Sequence, residues 1–311
     1  MTADSIGAAT PAYVDTAVVE VESYVDTQVN NSAPYNLLDN SDFRHPVNQR
    51  GKESYSGITY GIDRWAGRGT SCKVTVNEGY ISITAATDAK TKLWVQYLPD
   101  GEKMIGKTYT MAARVRGGRV RLNLCNKVWS SYNTNDDWRT IVVTRTIPED
   151  ATEFFVGIQT DERTDCDVEW VALYEGTYAS KIIQEYRPKG YAVELLECQR
   201  YFLQLGTEYK QTRIASGIAD TANTAVVFVP IPTKMRVAKP SVVIEDPSKV
   251  YFQVGTRNGI RDFDTEDYYV YPGNVALGLR FTFTEAIVTG SAAVMIQENP
   301  TGITLSADFP L

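Results

Sequence analysis

The sequence predicts an all-β protein: two antiparallel β-sandwich domains of jelly-roll type, with a short N-terminal coiled-coil helix before them and a connector helix between them. Short runs rich in valine, isoleucine and aromatic residues recur along most of the 311 residues, separated by turn residues. Several runs alternate apolar and polar residues with period two, as strands with one wet face do. Nineteen tyrosines and 22 glycines suit strands and the turns that join them.

The first element is the exception. YVDTAVVEVES (13–23) is followed at once by YVDTQVNNSAP (24–34), an 11-residue repeat. Val14, Val18, Val21, Val25 and Val29 are spaced 4, 3, 4 and 4. Such a repeat gives about 3.67 residues per turn, so the valines share one stripe of a nearly straight helix. Asp15, Glu20, Glu22 and Asp26 lie mostly off that stripe. Valine-rich helices of this length are marginal alone, so the stripe predicts burial against copies of itself. Asn30-Asn31-Ser32-Ala33-Pro34 ends it as a linker. Residues 1–34 are thus expected to be an oligomerisation and attachment segment.

From residue 35 to 185 the strand candidates are YISITA (80–85), KLWVQYL (92–98), TYTMAARV (108–115), RVRLNL (119–124), TIVVTRTI (140–147), EFFVGIQ (153–159) and VEWVALYE (168–175). In RVRLNL, Val120, Leu122 and Leu124 share one face while Arg119, Arg121 and Asn123 share the other. Many short strands in one stretch imply a sandwich or jelly roll. Trp65, Trp138 and Trp170 are expected in its core.

Residues 186–311 open with GYAVELLECQRYFLQLG (190–206). There Leu195, Cys198, Phe202 and Leu205 share a helical face, and Gly206 is placed to end the helix. TAVVFVPI (224–231), PSVVIE (240–245), KVYFQVG (249–255), GLRFTFT (278–284) and AAVMIQE (292–298) then predict a second β-sandwich.

Charge and composition narrow the function. A net charge of −7 without a like-charged block disfavours nucleic-acid binding. No apolar run is long enough to insert in a membrane, and the start MTADSIGAAT is not expected to act as an export signal. Cys72, Cys125, Cys166 and Cys198 lack the close pairing of zinc sites and are expected to be buried free thiols. Catalysis by a histidine-activated nucleophile would have to use the single imidazole of His45. No cofactor is expected.

NLLDNSDFRHPVNQRG (36–51) with YGIDRW (60–65) resembles a module start that recurs in tail-fibre and receptor-binding proteins of bacteriophages and prophages. That module resembles a carbohydrate-binding-module jelly roll, and VEWVALYEGTYAS (168–180) fits its closing strand. YRPKGYAVELLECQRYF (186–202) and VPIPTKMRVAKPSV (229–242) resemble the helix and first strands of the C-terminal domain of the same fibres. The resemblance implies a non-enzymatic virion protein, a homotrimer through the valine stripe. It would be assembled in the host cytoplasm and released by lysis. Its partners would be other virion proteins at the N-terminal segment and a host surface polysaccharide or teichoic acid. The alternative is a purely structural head-fibre, collar or baseplate part without a ligand. Arg50, Asp63 and Arg64 of the shared motifs are expected to make structural hydrogen bonds and salt bridges.

Two stretches are candidate glycan sites. In NKVWSSYNTNDDW (126–138), Trp129 and Tyr132 would stack on a sugar ring while Asn133, Asn135 and Asp136 meet its hydroxyls; otherwise Trp129 belongs to the core and the rest is an ordinary polar loop. RNGIRDFDTEDYYVYPGN (257–274) is read as a loop presenting Tyr268, Tyr269 and Tyr271. Its Asp262, Asp264, Glu266 and Asp267 are oxygen ligands of the kind calcium takes, but their spacing falls short of an EF-hand. A glycosidase would need two carboxyls facing each other across the scissile bond, which neighbours such as Asp136 and Asp137 do not establish.

Overall fold

The computed structural model describes residues 35–306 apart from 69–71, 86–91, 135, 162–163, 179–182, 184–185, 206–210, 238–239, 245, 261–262, 271–275 and 299–302. The valine stripe (Val14 to Val29), Asn135, Asp262 and Tyr271 lie outside the described residues.

The first half of the described chain is a sandwich of two antiparallel sheets. Its strands are β1 (Ser54–Ser56), β2 (Trp65–Arg68), β3 (Cys72–Asn77), β4 (Tyr80–Ala85), β5 (Lys92–Tyr97) and β6 (Thr108–Arg116). They continue with β7 (Arg119–Leu124), β8 (Val128–Trp129), β9 (Asn133–Thr134), β10 (Arg139–Thr146), β11 (Phe155–Thr160) and β12 (Cys166–Glu175). One sheet runs β1-β3-β4-β12-β6-β10; the other runs β2-β5-β11-β7-β8, with β9 also paired to β7. Alternation decides what goes inside. Val120, Leu122 and Leu124 of β7 are fully buried between the sheets with Trp65, Trp94, Val156 and Ile158. Burying such a side chain contributes about 1.5–3 kcal/mol, so the pattern fixes the register of each strand. All four cysteines are buried and free.

Of the three tryptophans expected in the core, Trp65 lies between the sheets, Trp170 is buried in a second cluster and Trp138 is not buried. Trp170 is buried on the outer face of the first sheet, stacked on Tyr186 at 4.6 Å. Trp138 is only half-buried. It stands one residue before β10, where its ring meets Tyr80 edge-on at 6.0 Å and the Arg116 guanidinium at 4.6 Å. A strand-flanking position at the margin of a sheet lacks a facing layer to cover it.

The connector helix α1 spans Tyr191–Gln199, ending well before Gly206. Phe202 and Leu205 belong instead to strand β13 (Phe202–Leu205). The apolar face expected from the spacing is the one turned inward, with Cys198 buried and Leu195 half-buried, but Glu194 is buried with it, while Tyr191, Val193 and Leu196 are exposed. Glu194 is drawn inward because its carboxylate accepts the Asn40 backbone N–H at 2.5 Å.

The second sandwich contains β14 (Gln211–Ala219), β15 (Thr224–Pro230), β16 (Ser241–Ile244), β17 (Val250–Val254) and β18 (Arg257–Ile260). It is completed by β19 (Phe263–Val270), β20 (Ala276–Phe283), β21 (Ala292–Glu298) and β22 (Ile303–Ser306). A seven-stranded sheet, β18-β17-β21-β14-β15-β20-β19, faces a three-stranded one, β13-β22-β16. Phe252, Phe281, Phe283, Leu277 and Met295 form its core with Leu203 from the small sheet. The stretch read as an acidic loop is therefore a pair of edge strands. Tyr268 and Tyr269 are ladder residues opposite Leu279 and Gly278, and Asp264 and Asp267 pair with Thr282 and Arg280 across a bulge at Glu266. Acidic residues are poor strand formers, which misled the reading; pairing to the apolar β20 overrides that preference. No helix among the described residues is long and apolar enough to cross a membrane.

The two shared motifs dock on each other where the sandwiches meet. Asn40 clasps the first motif by donating to the Val47 and Asp63 carbonyls, both at 2.8 Å, and accepting the Val47 N–H at 2.7 Å. Arg50 pairs with Asp63 at 3.1 Å and lies 3.7 Å over the Phe202 ring. Gln49 donates to Asp63 and to the Phe202 carbonyl, at 2.8 and 2.7 Å. Arg64, fully buried, pairs with Asp39 at 3.0 Å, donates to the Tyr97 carbonyl at 3.0 Å and stacks 3.5 Å over Tyr201. Lys189 bridges Asp39 (3.3 Å) and Glu197 (2.7 Å). Burial works to raise the Asp39 pKa, but Arg64 and Lys189 outweigh it and hold the carboxyl below its usual range. Glu194 is pushed up to about 7, chiefly by burial, with the Asp39 and Glu197 charges adding to it. These arginines are structural, as their place in the motifs suggested, and they tie together both sandwiches as well as the first strand.

Candidate functional site

The candidate site is built on the outward face of β7. Because Val120, Leu122 and Leu124 point inward, Arg119, Arg121 and Asn123 alternate outward. The chain then reverses over Cys125 and Asn126, both left-handed (φ +55° and +50°), with the Lys127 N–H donating to the Leu124 carbonyl at 3.3 Å. Two successive positive φ values make a type I′ turn, whose twist matches that of a hairpin. It brings Trp129 directly opposite Asn123. The Ser130 N–H donates to the Leu122 carbonyl at 3.1 Å, and the Ser130 hydroxyl accepts the Leu122 N–H at 2.9 Å. The chain bends away there and returns as β9, pairing Asn133 with Val120.

Trp129 is 39% exposed, so it is a surface ring and not a core one. The Arg121 guanidinium lies 5.4 Å from the Trp129 centroid and 4.6 Å from that of Tyr132. Arg121 is steered there by donating from Nε to Gln159 Oε1 at 2.9 Å. Arg119 covers Tyr132 at 4.5 Å and pairs with Asp161 at 3.5 Å. Each cation–π contact is worth about 0.5–1 kcal/mol at an exposed position, enough to order the rings without burying them.

These rings form one wall of a groove of about 480 Å³. The opposite wall is Thr140 to Arg145 of β10, which is the margin of the other sheet and pairs only with β6 among the described strands. The groove thus follows the open side of the sandwich. It offers aromatic faces, the hydroxyls of Ser131 and Thr140, the Asn133 amide and the unpaired backbone groups of an edge strand. None of its described lining residues is a carboxylate.

Of the sequence candidates, Trp129, Tyr132 and Asn133 are brought together here. Asp136 is exposed but does not line the groove, because the chain leaves it before turning into β10. Tyr268 and Tyr269 belong to the second sandwich and are strand residues. Arg119, Arg121 and Gln159 were missed; the alternation in RVRLNL marked the two arginines as outward-facing but not as ring partners. Among the described residues no group of three or more acidic, histidine or cysteine side chains is placed to hold a metal ion.

No protein-family model matches the chain, and no curated relative does. Solved structures do. The CBM22-1–GH10 modules of Clostridium thermocellum xylanase 10B, complexed with xylohexaose, match at 13% identity and a TM-score of 0.32, over 47% of this chain and 29% of that one. This chain therefore spans less than a third of that protein's length. The CBM22-1 xylan-binding domain of Paenibacillus barcinonensis Xyn10C matches at 12% identity and 0.31, over 48% of this chain and 99% of that one. The CBM22-1–CBM22-2 tandem of the same enzyme matches at 9% identity and 0.29, over 88% of this chain and 96% of that one.

Proposed function

We propose that this chain is a non-catalytic glycan-binding protein of the tail-fibre type, which attaches a virion to a surface polysaccharide or teichoic acid. The observation that carries the binding role is the pair of partly exposed rings, Trp129 and Tyr132, held by Arg121 along the groove beside β10. A sugar stacks its apolar face on such rings while its hydroxyls meet amide, hydroxyl and backbone groups. The phage setting rests on the motif resemblance. In that setting the valine stripe makes a homotrimer, and three weak sites on one particle bind with avidity. The test is a glycan array probed with the full chain and with Trp129→Ala, together with the molar mass by light scattering. Glycans retained by the wild type and lost by the variant, at trimer mass, support the reading.

One observation favours a ligand-free structural role instead: Arg121 already lies against both rings. Arrays blank for both proteins would select that role.

A further inference from the structure

A second cleft lies where the two sandwiches meet, away from the groove. Its volume is about 490 Å³, within the ~300–1,000 Å³ typical of small-molecule sites, which often form between domains. One wall is β1 and the chain before β2; the other is the cross-strand pair Gln204 and Thr304 of β13 and β22. Ser54 and Ser56 are the exposed positions of β1 and point outward, while Tyr55 between them is buried.

Three features give the cleft its chemistry. It is lined by Arg50 and Lys52 and by no described carboxylate, in a chain of net charge −7. Arg50 spends its charge on Asp63, whereas Lys52 is exposed and enters no described ion pair. Gln204 Oε1 is buried without a hydrogen-bond donor among the described residues. A buried acceptor left unmatched is costly; the Gln204 side chain as a whole is only half-buried, so turning its amide into the cleft would let a ligand hydroxyl remove that cost. The remaining lining is hydroxyl groups and the edges of Tyr60 and Phe202.

We propose that this cleft binds a saccharide carrying an anionic substituent, with the anion at Lys52, a sugar hydroxyl donating to Gln204 Oε1 and Thr304 beside it. The site is complete only when both sandwiches are docked, because each contributes one wall. It is separate from the Trp129 groove and does not depend on the reading given to that groove.

The substituent could be a carboxylate or a phosphate, and the experiment separates them. The full chain is titrated calorimetrically with a galacturonate trimer, a glycerol phosphate trimer and neutral maltotriose, at low salt. We expect one anionic probe to bind with Kd below about 1 mM and maltotriose at least about tenfold more weakly. Lys52→Gln and Gln204→Leu should each weaken the anionic probe about tenfold. Gln204→Leu removes an unmatched buried acceptor, so it should keep or raise the melting temperature, and its loss of binding cannot be ascribed to unfolding. Failure of both anionic probes at about 1 mM overturns the proposal. So does equal binding of maltotriose, or binding indifferent to Lys52→Gln and Gln204→Leu.

Discussion

The same contact, an arginine over an aromatic ring, appears at the domain junction and in the edge groove, and it does different work in each. At the junction Arg64 is fully buried, pairs with Asp39 and covers Tyr201 at 3.5 Å. In the groove Arg121 is half-buried, its partner is the neutral Gln159, and its rings keep part of their surface in water. Burial with a carboxylate turns the contact into a structural tie. Exposure with an amide leaves the rings ordered but still able to take a ligand. The chemistry of the pair does not distinguish the two roles; the accessibility of the ring does.

The sharpest way to break this contrast is Arg64→Ala. It strips a buried charge from Asp39 and a donor from the Tyr97 carbonyl, so it should cost about 3–5 kcal/mol in urea unfolding. A loss under about 1 kcal/mol would remove the distinction between tie and platform.

Next comes Glu194→Gln, which keeps an acceptor for the Asn40 N–H but removes the buried charge. With the native pKa raised from 4.5 to about 7, the group's stabilising contribution is full below about pH 4.5 and lost as pH rises through about 7. The variant should therefore gain on the wild type by roughly 2–3 kcal/mol between pH 4.5 and pH 8. Parallel stability curves for the two proteins would show that Glu194 is not the titrating group.

In the groove the expectation reverses. Trp129→Ala should lower stability by only about 0.5–1 kcal/mol, the one cation–π contact it loses, while weakening glycan binding about tenfold or more. The smallest effect on binding belongs to Arg121→Gln. Losing two exposed cation–π contacts should lower stability by about 1 kcal/mol and weaken the glycan less than Trp129→Ala does. An Arg121→Gln effect on binding larger than that of Trp129→Ala would make the arginine, not the ring, the principal contact.

What the sequence could convey follows the range of the forces involved. Period-two alternation is local, so β4, β6, β7, β10, β15, β20 and β21 were legible within a residue or two. The outward direction of Arg119 and Arg121 was legible for the same reason. The ring contacts were not, because they depend on a turn at Cys125-Asn126 that lacks the usual glycine. The inward face of helix α1 at Leu195 and Cys198 was legible, but the burial of Glu194 was not, since the partner that draws it inward is Asn40, 154 positions earlier. The strand at 263–270 was hidden by its own acidic residues and appears only through pairing with β20. The shared motifs at 36–51 and 186–202 each announced structural importance, yet nothing in either announced that they would touch.

That touching has a mechanical meaning. The bonds from Asp39, Asn40, Gln49, Arg50 and Arg64 to Lys189, Glu194, Tyr201 and Phe202 run side by side across the join. A pull that separates the two sandwiches loads them together instead of one after another. The join is therefore expected to stay stiff until these contacts give way together, so that a tug on one sandwich reaches the other without slack.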